Sequence, residues 1–518
     1  MKNVMNQHLC LHKKKVSPNM MSLKLMLLLS FLMILCYVVT GVSGNIETIE
    51  LANGFLPMLL IVGCGLTVLG AIRDDPVFIL GAVSWFIFAC GVCFGGGPLI
   101  YFYGNADSVR HLDSLFHVRD ELLLRTNLLN AVGIFMVCLG YVMMSRNYLS
   151  NMSNKNEQYI FDYRAVSRFT IVILAFSVPV RCLVLLNSYL DAGWAIPSSL
   201  AQTGRLTLVC LFLVSYLYFK AMKSLRILAF SLLIFEMGLA LPTYSKSGVL
   251  VPLVVCLLAA FLATRKKTIL LVGAAVVVLF FSWYKPLSDL GRSKNFDTFG
   301  DSISFVWDYM VFDSNDSIDY SDRTTQALWT RLSFSNVQGY IMSEYDSGAG
   351  LGSMDRLAIV FVPRILWKDK PSTTNVGLDL YKRKTGNEGS SLAPTVFGDL
   401  YGSGGWLLVI SASLFIGVVL AILSHKTYYY WRNNDIRYLP IIFLGIGYGS
   451  SVESPFVPTF VGSLPLMAGT WYLIKTFVPL PLKLAKSVQD GQVSNTIHHF
   501  CHTDVDSHSI SLPHTPPG

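Results

Sequence analysis

Charge is what this sequence has least of. Of 518 residues only 14% are Asp, Glu, Lys or Arg, while 53% are hydrophobic. Soluble domains carry about 25% charged residues, so the balance excludes an ordinary soluble globular protein and implies a polytopic membrane protein. Also missing are a zinc-ligand spacing, a phosphate-binding glycine loop and any nucleic-acid module. No cofactor and no metal is expected, and the net charge of +8 reflects loop Lys and Arg rather than nucleic-acid binding. Most of the cysteines fall inside apolar runs, where they read as small packing groups. The Cys90–Cys93 pair shares such a run, so its spacing predicts neither zinc nor redox chemistry.

What is abundant is apolar stretches near the roughly 20 residues that span a bilayer. They lie near 25–43, 55–72, 77–99, 128–144, 169–188, 206–219, 227–241, 248–264, 268–284, 405–423, 438–452 and 458–477. The expected fold is therefore an all-α polytopic membrane protein of about twelve transmembrane helices. One large external loop lies between the ninth and tenth. The expected divisions are 1–24, a cytoplasmic segment; 25–284, nine helices; 285–404, the external loop; 405–477, three helices; and 478–518, a cytoplasmic, solvated, His-rich tail. Orientation follows from Lys and Arg in alternate loops, such as Arg265-Lys266-Lys267, against loops with none, such as "GNIETIELANG". Both termini are then cytoplasmic, and the first apolar run is a retained helix because it has no convincing cleavage site.

The external loop divides by charge. From Asp297 to Asp322 carboxylates alternate with aromatics and no Lys or Arg occurs. That pattern suits either sugar rings or an ordinary domain core. From Arg323 onward cations dominate, and an anionic ligand accounts for them, because guanidinium forks bind phosphate bidentately. Two stretches stand out: "VPRILWKDKP" (362–371), with Arg364, Lys368 and Lys370 among apolar residues, and "SSLAPTVFGDLYGSGGW" (390–406), with Asp399 before the next membrane helix. Asp399 is either a helix cap or a catalytic carboxylate.

Polar residues inside or beside the apolar runs add candidates. Arg181 and Glu236 sit at similar depth, so they either pair structurally or Arg181 lines an anion cavity near Lys246. In "NADSVRHLDSLFHVRDELLLRTN" a single interfacial helix would put Leu112, Phe116 and Leu123 on one face and Arg110, Asp113, His117 and Asp120 on the other. His117, oriented by Asp113, is then a candidate base.

The stretches over 361–406, followed by a membrane helix, resemble the O-antigen and related repeat-unit polymerases of bacterial envelopes. Elsewhere the likeness is one of layout alone. The resemblance implies glycosyl transfer at the outer face of the bacterial inner membrane, from a polyprenyl-diphosphate-linked glycan to a new lipid-linked repeat unit. Membrane lipids, a flippase and a chain-length regulator are the implied partners. Diphosphate leaves, so external cations would stabilise it: Arg364 within the motif, with Arg181, Arg292, Arg331, Arg356, Lys370 and Lys246 added from charge and side. Asp399 and His117 are the candidate acid/base groups. The alternatives are a ligase that moves finished polymer to another acceptor, or a flippase.

Overall fold

The computed structural model describes residues 20–152, 163–190, 204, 206–220, 222–244, 246–293, 299–312, 329–362, 367, 375–387, 391–433 and 435–477. Among them helix dominates and no strand occurs. This is what an apolar chain in lipid must do, since every backbone group has to find its partner within the segment. Among the described residues eight helices are long and apolar enough to cross a membrane. Shorter apolar helices cover Thr170–Val184, Leu206–Lys220 and Gly248–Thr264. The stretch 438–452 contains a helix of only 12 residues, Leu439–Ser450.

One helical group is built from α1 (Met20–Ser43), α2 (Ile46–Asp74), α3 (Ala82–Cys90), α4 (Ala106–Leu115) and α5 (Asp120–Met152). A second group follows: α6 (Tyr163–Leu190), α7 (Leu206–Lys220), α8 (Arg226–Ala240), α9 (Lys246–Thr264) and α10 (Lys267–Ser293). After α11 (Phe299–Phe312), α12 (Ser335–Asp346) and α13 (Val376–Thr385), the chain returns to the first group. It does so through α14 (Val396–Arg432), α15 (Leu439–Ser450) and α16 (Ser463–Phe477). The groups meet where Phe212 and Tyr216 of α7 pack edge-on against Trp431, with ring centres 6.1 and 5.4 Å away.

At the centre α5 and α14 lie side by side. A Cβ on Gly417 would meet the Val137 carbonyl and, at 2.9 Å, the Tyr141 nitrogen. Small residues thus let two backbones touch, which in lipid replaces the hydrophobic drive of a water-soluble core. Outward faces stay apolar: Leu271, Val278 and Leu407 are all largely exposed, as lipid-facing residues should be.

Helices α4, α12, α13 and the first turns of α14 pack together at one end, here the cap end, and α11 follows α10 at the end of that helix away from Arg265. Arg146, Lys220, Arg226, Arg265 and Arg432 lie at the other end of their helices. The single interfacial helix expected over 106–123 is not formed. Phe116 is extended (φ −158°, ψ 121°) and ends α4, and a new helix starts at Asp120. Leu112 and Leu123 are both buried all the same, because the break turns each helix's apolar face inward separately.

Candidate functional site

Residues 391–406 fold against three other segments. Thr395 holds a left-handed backbone (φ 60°, ψ 159°) that non-glycine residues rarely adopt. Its N–H donates to the Glu453 carbonyl (3.1 Å), and the Val396 N–H to the Val452 carbonyl (2.9 Å). Its Oγ1 caps α14 by accepting from the Gly398 N–H at 3.2 Å. The same oxygen accepts from Gln338 Nε2 at 2.9 Å. Gln338 in turn exchanges amide hydrogen bonds with Asn130 of α5, at 2.8 and 3.1 Å. All three side chains are buried, so these polar groups satisfy one another inside the protein.

Asp399, one turn on, is 0% exposed. Its Oδ2 accepts from the Ser353 hydroxyl at 2.5 Å and from the Phe456 N–H at 2.7 Å. The Ser353 Oγ accepts from the Val457 N–H at 3.1 Å. Asp399 and Ser353 therefore cap the first turn of the last membrane helix, while Asp399 also sits in the first turn of α14. Two helix N-termini offer partial positive charge to one carboxylate. Its other oxygen, Oδ1, is buried without a hydrogen-bond partner among the described residues.

Nearer the surface, Tyr401 donates to Asp346 Oδ1 (2.9 Å) and accepts from Arg125 Nη2 (3.2 Å). Arg125 also reaches Asp346 Oδ2 at 2.8 Å, and the two charged side chains are 44% and 38% exposed. The rings of Tyr345 and Trp406 meet Tyr401 edge-on, at 5.3 and 5.4 Å. An accessible carboxylate and guanidinium beside aromatic rings can hold sugar hydroxyls and an anion at once. Close by, burial and then the Glu344 carboxylate push the Tyr340 phenol up, so it stays neutral.

The sequence-derived candidates distribute as follows. His117 lies 3.1 Å from Asp113, exposed, past the end of α4. Arg356 pairs with Asp379 at 2.5 Å and, through its N–H to the Ser353 carbonyl (3.0 Å), belongs to the turn that reaches Asp399. Arg331 is exposed in a helical turn, and Lys246 opens α9 half-buried. Arg292 lies in the last turn of α10; its side chain, like the whole of Arg364 and Lys370, lies outside the described residues. Arg181 forms an ion pair with the buried Glu236 at 3.3 Å. Glu236 also accepts from Thr207. Among the described residues no group of three His, Cys, Asp or Glu side chains comes together as metal ligands.

Arg125, Asp346, Asn130 and Gln338 were not singled out from sequence. A signal existed for two of them: "RTNLLN" puts Arg125, Asn127 and Asn130 into an apolar run, where each polar side chain must find a partner.

Together these features define a helical membrane protein with a polar, interlocked cap at one end of its bundle. The chain belongs to the family described as Domain of unknown function (DUF8712), whose model matches residues 76–431. No curated protein and no solved structure matches it.

Proposed function

We propose that this protein is a polysaccharide polymerase. It passes a growing glycan from polyprenyl diphosphate to the terminal sugar of a new lipid-linked repeat unit. The acceptor hydroxyl attacks the anomeric carbon, the bond from that carbon to the diphosphate oxygen breaks, and the lipid diphosphate leaves with the electron pair. The carrying observation is that residues 391–406, part of the 361–406 region on which the resemblance to repeat-unit polymerases rests, are built into one locked unit. Ser353, Thr395 and Asp399 form it at the end of the membrane bundle.

In this reading Arg125 and Arg356, with Arg364 and Lys370 of "VPRILWKDKP", stabilise charge on the leaving diphosphate. Asp346 on the accessible rim takes the acceptor proton, a role typically worth ~10²–10⁴ in rate. His117 is the second candidate base. Asp399, enclosed and doubly hydrogen-bonded, positions the rim. The cations at the opposite end favour a cytoplasmic location for it, which leaves the cap on the outer face of a bacterial inner membrane.

Deleting the gene should collapse the polymer ladder on a gel to single repeat units. An unchanged ladder would contradict the proposal. Free polymer that persists but no longer reaches its acceptor would identify a ligase instead.

A further inference from the structure

At the end of the bundle opposite the cap, two lysines converge on one indole. Lys426 of α14 lies 5.2 Å from the Trp471 ring centre, and Lys475, one turn along Trp471's own helix, lies 5.0 Å from it. The Trp471 N–H donates to the Tyr430 hydroxyl at 3.1 Å, which fixes the ring. Two carboxylates of this end are already taken. Arg437 grips both oxygens of Asp435 at 2.8 Å, and Arg432 pairs with Asp75. Among the described residues no carboxylate pairs with Lys426 or Lys475. Two ammonium groups near one ring repel each other, and an exposed cation–π contact offsets little of that. Among the described residues the arrangement is short of an anion.

We infer that Lys426, Lys475 and Trp471 form a binding site for the phosphodiester headgroup of an anionic bilayer lipid. Trp and Tyr settle at headgroup depth, and lysine stems let the ammonium groups reach the phosphate plane. Tyr472 and Leu473, 61% and 55% exposed on other faces of the same helix, turn apolar surface toward the bilayer where acyl chains lie. A free phosphate carries the same charge but has no use for that surface. The site stands independently of the proposed glycan chemistry.

The test is native mass spectrometry of the full chain released from mixed micelles containing phosphatidylglycerol or phosphatidylcholine. The wild type should retain phosphatidylglycerol preferentially, and K426Q/K475Q should bind it roughly tenfold or more weakly, the scale set by two lysines at a charged lipid surface. K426R/K475R should restore retention. Should the double variant fail to fold, K475Q alone, at an exposed position, must still lower retention. Equal retention of phosphatidylcholine, or unaltered phosphatidylglycerol binding in the glutamine variants, overturns the inference. So does failure of the arginine variant to restore binding. Displacement of phosphatidylglycerol by millimolar inorganic phosphate would make this a free-anion site and overturn the lipid assignment.

Discussion

Asp399 keeps its carboxylate out of solvent by holding the Ser353 hydroxyl and the Phe456 N–H on one oxygen. A group so enclosed meets no acceptor hydroxyl in this arrangement, so its contribution is to lock three segments together. The two substitutions that separate locking from proton transfer differ in one property. Asp399→Asn keeps an acceptor oxygen, whereas Asp399→Ala leaves the Phe456 N–H and the Ser353 hydroxyl buried and unpaired. Such orphaned groups cost about 1–3 kcal/mol each. Asp399→Ala should therefore lower the melting temperature of the purified protein sharply, and Asp399→Asn should lower it much less while preserving activity. An Asn variant as stable as wild type but inactive would return Asp399 to acid/base chemistry. From sequence, Asp399 is visible as a carboxylate before a membrane helix, with capping and catalysis both open. What cannot be read is that it caps a helix starting 57 residues further on, because that partner is set by tertiary packing.

At the scale of elements, α14 is two helices joined at Gly404 and Gly405 (Gly405 φ 62°, ψ −156°). That conformation is open essentially to glycine alone. The break lets the short capping helix, with Asp399 and Tyr401, sit at an angle to the membrane helix that follows. Gly405→Ala should destabilise the protein by on the order of 1–3 kcal/mol, because its Cβ would also meet the Tyr345 ring at 3.0 Å. A detergent-solubilised melt of G405A matching wild type would contradict this account of the hinge. "GSGGW" marks the place in the sequence, and the apolar runs mark the helices, since hydropathy and glycine are local signals. The break at Phe116 is not marked. Leu112, Phe116 and Leu123 fit one helical face, and only packing of Asn336 against the Leu112 carbonyl (3.3 Å) and of Phe116 against Tyr340 selects the interruption. Arg125 and Asp346 escape for the same reason: they are 221 residues apart, and nothing local joins them.

For the whole molecule, the proposed function requires the cap outside and the Lys- and Arg-rich end in the cytoplasm. Gly300, exposed in the first turn of α11, reports on this directly. In a cysteine-free background, Gly300→Cys should react with a membrane-impermeant maleimide once the outer barrier alone is opened. Labelling only after the inner membrane is permeabilised would invert the topology and remove the outer-face chemistry with it. The expected sidedness rests on loop charges, a signal that acts during insertion. The locked unit of Ser353, Thr395 and Asp399 was not legible in the sequence, since it is assembled from distant segments.

Glycan polymerisation at that cap can be reconstituted from purified parts. The full chain in proteoliposomes would be given purified polyprenyl-diphosphate-linked repeat units and no second acceptor. Wild type should build a ladder of glycan lengths, and Arg125→Ala, at equal protein level, should lose elongation by at least about tenfold, since a hydrogen bond to a charged group is worth about 1.5–3 kcal/mol. A wild-type reaction that leaves every repeat unit single would contradict the account.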